Sequence, residues 1–196
     1  MMQYSFIHIK QWIAIVMFIG FTLFASSCEK GTYSKIRDEE VAKGVRNDSL
    51  FLGLDLGMTS KEFYSICWDL NKKGILGDGP GNMTAQYTIK DYDHLITMNF
   101  YPDFKEGKIY TMPVDFAYKG WSPWNRHLFS DSLEIKVIDM LENWYGKELI
   151  EMEHPKFGKT YFAIEGNRQI IVYRKSDKDV RVIYKDLFME EEDQEE

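Results

Sequence analysis

GMTSKEFYSICWDLNKKG, residues 57–74, and SDSLEIKVIDMLENWYG, residues 130–146, decide the architecture. In the first, Thr59 and Glu62 stand three apart. A hydroxyl and a carboxylate at that spacing satisfy the free N–H groups of a helix start. Phe63, Ile66, Cys67 and Leu70 then recur on one helical stripe, with Tyr64 and Trp68 one turn apart on its flank. Gly74 supplies the stop, so a helix is predicted to about Lys73. The second stretch reads the same way. Asp131 and Glu134 form its expected cap, Leu133, Val137, Ile138, Leu141 and Trp144 face inward, and Gly146 ends a helix begun near Ser132.

Alternating apolar residues follow each helix. After the first come Tyr87–Ile89, His94–Tyr101 and Lys108–Tyr118. After the second come Glu148–Met152, Thr160–Ile164, Gln169–Arg174 and Val180–Tyr184. Pro113 argues for an edge or a bulge in the strand that holds it. The Gly-rich stretch 77–81 follows a helix and precedes a strand, so it reads as a loop rather than a phosphate cradle. The stop glycines lie 72 residues apart, and matching strands recur at nearly the same interval. The expected fold is α+β. It is an antiparallel sheet of about six to seven strands with two helices on one face. Two helix-plus-three-strand half-repeats, near 57–118 and 130–187, would build it, leaving the second face to solvent or a partner. Ahead of them, Leu50, Leu52, Leu54 and Leu56 alternate strictly and read as a strand or extended segment against the core.

Outside residues 50–188 the pattern changes. An apolar run from Trp12 to Ala25 follows Lys10. Its 14 residues fall short of the roughly 20 a spanning helix needs. A basic start, a short apolar stretch and small residues before a cut describe a cleaved leader over 1–27. Residues 28–49 are charged, poor in large apolar groups and expected to form a flexible tether, with a transient helix near Lys35–Lys43. Residues 189–196 are expected to be a disordered acidic tail. They carry most of the net charge of −7, so the body itself is nearly neutral. That balance gives no basic surface for nucleic acid.

Ala25-Ser26-Ser27-Cys28 resembles a lipobox of the relaxed kind seen in Bacteroidota envelope lipoproteins. The resemblance implies lipidation at Cys28, a membrane-lipid partner and a place in the cell envelope, at the outer membrane. It also leaves Cys67 as a lone thiol. Leu56-Gly57-Met58-Thr59-Ser60-Lys61-Glu62-Phe63 resembles the helix opening of the BamE/OmlA (SmpA) lipoproteins. The layout is similar to the β-lactamase-inhibitor-protein-like fold. These resemblances imply a small envelope module that binds other proteins through a sheet surface.

No catalytic pattern stands out. His94, His127 and His154 are far apart in the chain, without metal-ligand spacing. No nucleophile motif occurs. Neither a cofactor nor a metal is expected. The candidate binding residues are Trp121, Trp124, Arg126 and His127, because two indoles beside a cation suit protein docking or sugar stacking. The leading expectation is a non-catalytic protein-binding lipoprotein. A glycan-binding lipoprotein and an envelope hydrolase are the alternatives. Lipidation is checked by metabolic labelling with an alkyne fatty acid. The wild-type chain takes up label and Cys28→Ser does not; label retained by Cys28→Ser overturns the anchor.

Overall fold

The computed structural model describes residues 31–191. The leader, Cys28 and residues 192–196 of the tail lie outside the described residues. The chain divides between Lys35 and Ile36, and the sheet belongs to the second unit.

Helix α1 spans Thr32–Ala42, and helix α2 spans Ser60–Lys72. Four short strands follow: β1 (Leu76–Asp78), β2 (Ala85–Ile89), β3 (Ile96–Phe100) and β4 (Asp103–Lys105). The long β5 (Lys108–Tyr118) closes the first half. Helix α3 (Ser130–Tyr145) opens the second, which continues as β6 (Ile150–His154), β7 (Gly158–Glu165), β8 (Arg168–Arg174) and β9 (Asp179–Asp186). A short α4 (Leu187–Glu191) ends the described chain, so residues 189–191 of the expected acidic tail are helical.

The strands form one antiparallel sheet ordered β1-β2-β3-β5-β9-β8-β7-β6, with β4 paired to β5. Outward from the β5–β9 contact, each side is a meander preceded by a helix. Each meander holds four strands rather than the expected three, and the first adds β4. The uncounted β1 and β4 have three residues each. That is too short for an alternation to show.

The core lies between the sheet and the helices. Ile109, Met112, Val114 and Phe116 of β5 and Val180, Val182 and Tyr184 of β9 are fully buried. Phe63 of α2 and Leu133, Val137 and Leu141 of α3 join the same cluster. The two helices thus share one face, α3 lying over β5, β8 and β9 and α2 beside β1. The second face is partly closed as well: Phe162, Ile164 and Thr160 of β7 point away from the helices and are buried.

Four expectations need correction. First, Leu50–Leu56 is a turn and not a strand. Leu52 and Gly53 take positive φ values of 55° and 77°. Leu50 N–H then donates to the Leu54 carbonyl at 2.9 Å, and Leu54 N–H to Phe51 at 2.9 Å. Folding back buries both sides of the alternation. Phe51 enters the core 5.0 Å from Phe100 and 5.7 Å from Tyr184.

Second, α3 starts without the expected cap. Its N-cap is Phe129, and Asp131 accepts from Ser132 N–H at 2.9 Å. Glu134 turns inward instead, buried and 3.7 Å from Arg174, and burial pushes its carboxyl above the usual range. Trp144, expected inside, is exposed; the neighbouring Tyr145 packs in its place and donates its hydroxyl to the Leu50 carbonyl at 2.6 Å.

Third, Pro113 is not on an edge. Along β5 it falls between the last partner on β3, Phe100 opposite Val114, and the first on β4, Asp103 opposite Thr111. A residue without an N–H is tolerated where the ladder changes strands.

Fourth, residues 28–49 are not a tether throughout. Beyond α1, the chain is latched to the β7–β8 turn. Asn167 N–H donates to the Val45 carbonyl at 3.2 Å, and Asn47 N–H to Asn167 Oδ1 at 2.6 Å. Arg46 reaches the fully buried Asp186 at 2.7 Å, and Arg168 donates to the Ser49 carbonyl. Glu40 accepts from Gly166 N–H at 3.2 Å and pairs with Lys147 at 3.2 Å. These are polar partners far apart in sequence, so hydrophobic patterning could not reveal them.

The latch admits only glycine at 166. A Cβ there would lie 2.2 Å from the Val45 carbonyl oxygen, at φ +58°. Gly146 has φ +64° but nothing within 4 Å. Gly146→Ala is expected to cost about 1–2 kcal/mol from backbone strain alone. Gly166→Ala is expected to cost at least about 1 kcal/mol more, because the latch must also open. Urea denaturation compares them, and equal losses would show that the latch does not hold the segment.

Candidate functional site

Of the four binding residues suggested by the sequence, Trp121 and Arg126 both pack on the Phe129 ring, while Trp124 and His127 are exposed. Trp121 is half-buried against the core, its ring 5.9 Å from Phe129. Its indole N–H is buried without a partner. Trp124 is 88% exposed. Arg126 lies over the Phe129 ring at 4.4 Å and pairs with Asp131 at 3.3 Å. His127 is exposed, and its carbonyl accepts from the Ser132 hydroxyl at 2.9 Å. Lone surface aromatics are ordinary, so the exposure of Trp124 does not by itself mark a site.

A different concavity is built around α2. The helix start is held by polar contacts. Thr59 N–H donates to Glu62 Oε2 at 2.8 Å, and Glu62 N–H to Thr59 Oγ1 at 3.3 Å. The Thr59 hydroxyl and N–H hold the Glu62 carboxyl below its ordinary range. Gly57 N–H donates to the Ile109 carbonyl at 2.8 Å, and Ile109 N–H to Met58 at 2.8 Å, fixing the entry to β5. At the far end, the Asn71 amide donates to the Leu76 carbonyl at 3.1 Å and ties β1 to the helix.

Between these ends α2 buries only Phe63. Its flank stands clear of the sheet, and a groove of about 480 Å³ opens between the helix, β1 and the start of β2. Phe63, Leu76 and Ala85 form the floor. Ala85 lies on the face that carries Tyr87 and Ile89, and its single methyl leaves the space unfilled. Tyr64 and Trp68 wall one side, Met83 stands on the other and Tyr101 closes an end. All four are exposed, Trp68 at 63% and Met83 at 75%.

The aromatic wall is continuous. The Tyr64 and Tyr101 hydroxyls are 2.5 Å apart, and this contact raises the Tyr101 hydroxyl above its ordinary range. Phe63 meets both rings edge-on, at 5.5 and 5.9 Å. Lys72 sits 5.3 Å from the centre of the Trp68 ring. Cys67 lines the groove, and burial pushes its thiol up to about 11. That environment does not activate a nucleophile.

A second hollow of about 300 Å³ lies among Ser130, Lys159, Arg174 and Lys175. Its cations are already paired: Lys159 with Glu151 at 2.9 Å and Lys175 with Asp115 at 2.8 Å. Among the described residues, no group of three His, Cys, Asp or Glu is placed to hold a metal ion. No described helix is long and apolar enough to cross a membrane. Comparison of the chain with protein-family models, curated proteins and solved structures finds no match.

One part of the groove was visible in the sequence, namely Tyr64 and Trp68 one turn apart on the outer flank of a helix. The rest comes from β1, the turn at Met83 and Tyr101, which meet only in the folded chain. The groove's accessibility is checked through Cys67 in a Cys28→Ser background, by iodoacetamide labelling across pH. Because the thiolate is the reactive form, the rate at pH 8 is expected to be about a hundredfold below that of an unfolded cysteine peptide. It should climb until the pH reaches about 11. A rate at pH 8 equal to the peptide's would contradict the buried thiol.

Proposed function

We propose that this chain is a lipid-anchored envelope protein whose domain binds another protein in the α2 groove and performs no catalysis of its own. The observation that carries the proposal is the rim of the groove, where Tyr64, Trp68, Met83 and Tyr101 stay exposed around an unfilled apolar floor. A cluster of exposed large apolar side chains around a concavity is the usual mark of a docking surface. The leader-like start and Cys28 support the anchor. The repeated helix-and-meander layout supports a scaffold for binding. The Trp121–Trp124 loop presents one exposed ring, which supports a glycan platform less well.

Photo-cross-linking in the native cells tests the proposal. A photoreactive residue replaces Trp68 in one full-length chain and Trp124 in another. The chain modified at 68 is expected to give one discrete protein adduct that is lost when Ala85→Leu fills the floor. The chain modified at 124 should give none. No adduct from 68, or the same adducts from both positions, overturns the proposal.

A further inference from the structure

The electrostatic lining of the groove narrows what its occupant can be. Asp78 is the one charged residue among those that line it, and no lysine or arginine does. Its carboxylate has no ion pair among the described residues. It sits on β1 beside Leu76 and opposite Ala85, at the same floor that the aromatic rings surround. The remaining polar groups, Asn71, Asn82 and Thr84, are neutral. The Thr84 hydroxyl is buried without a hydrogen-bond partner.

Aromatic faces carry negative quadrupoles and attract cations within about 6 Å of the ring centre. One ring of the wall already does so, since Lys72 lies over Trp68. An apolar floor suits the alkyl stem of a long basic side chain, which buries its methylenes and leaves its head at the polar edge. A carboxylate at that edge then completes the match. An acidic side chain would face Asp78 with only Lys72, over the Trp68 ring, to offset it. A purely apolar one would leave the exposed Asp78 carboxylate to solvent and gain nothing from it.

We infer that the groove takes a lysine or arginine side chain from an extended segment of the partner protein. The stem lies on Phe63, Leu76 and Ala85, and the charged head sits between the Trp68 and Tyr64 rings and the Asp78 carboxylate. This rests on the reading that the groove docks a protein. Lys72 acts as an internal competitor, occupying the Trp68 ring until the partner's cation replaces it.

The test uses ¹⁵N-labelled full-length protein in detergent micelles, titrated with three peptides. These are N-acetyl-Leu-Lys-Leu amide, its arginine analogue and its uncharged norleucine analogue. Resonances of Asp78, Ala85 and the Trp68 indole report binding. Both basic peptides are expected to bind about three- to tenfold more tightly than the norleucine peptide. Asp78→Asn should remove most of that preference. Lys72→Gln, which frees the ring, should enlarge it. Equal binding of all three peptides overturns the inference, as does a preference that survives Asp78→Asn and Trp68→Ala together. Binding of none of them, or a shift of the same resonances by a neutral oligosaccharide alone, overturns it too. Whether a protein docks at all is read separately by cross-linking from residue 68, so the two failures are distinguishable.

Discussion

The pairing of β5 with β9 is the constraint on which the rest of the structure depends. Seven residues of each strand stand in register, from Thr111 opposite Lys185 to Ala117 opposite Asp179. On the helix side, Met112, Val114 and Phe116 meet Tyr184, Val182 and Val180, all fully buried. On the other side, Asp115 faces Arg181, which donates to it from Nε and Nη2 at 2.7 and 2.5 Å. Burial pushes the Asp115 carboxyl up, but Arg181 and Lys175 outweigh it and leave it below the usual range. A one-residue slip would put Asp115 and Arg181 into the core and the valines out, so the register has no nearby competitor. Among the described residues, this strand pair is the only ladder that joins the first meander to the second. Without it, β5 and β9 would each be left with an open edge.

The two halves share a topology but not a packing. Helix α3 buries Leu133, Val137, Met140 and Leu141 over the centre of the sheet. Helix α2 buries Phe63 and lies at the β1 end. The difference is written in the side chains. Leu133, Val137 and Leu141 form an unbroken branched stripe that packs closely onto strands. Phe63, Ile66, Cys67 and Leu70 are flanked by the exposed Tyr64 and Trp68, and the small Ala85 across the gap leaves the space beside them unfilled. Both sides fill the core, but only the α2 side leaves a concavity of this size between helix and sheet edge.

How much of this was legible depended on range. Both helices, their glycine stops and most of the strands followed from local spacing: Thr59 to Glu62, Phe63 to Leu70, and the alternation of Lys108–Tyr118. What stayed hidden was set by partners distant in the chain. Leu50–Leu56 has the alternation of a strand, yet turns back because Leu52 accepts a positive φ and Phe51 finds Phe100 and Tyr184. Residues 45–49 read as polar spacer because the groups that hold them, Asn167, Arg168 and Asp186, lie more than a hundred positions away. The Asp131–Glu134 spacing fits a cap, but Glu134 is drawn inward toward Arg174. For the groove, Tyr64 and Trp68 were plain on the helix flank. Their significance required β1 and Ala85 opposite them, and a three-residue strand leaves no periodic trace.

That hidden part explains how an exposed aromatic wall can be stable. Burying a side chain such as Trp68 or Met83 would contribute roughly 1.5–3 kcal/mol each, and α2 forgoes that gain. Its position is secured elsewhere. The Thr59–Glu62 cap, the backbone bonds from Gly57 and Ser60 to the β5 entry, and the Asn71 amide on Leu76 fix both ends. Phe63 is buried in its first turn, and Ile66, Cys67 and Leu70 pack partly against the core behind it. A helix held by polar contacts at its ends and by this stripe does not need its flank for folding, and the flank keeps its apolar area exposed.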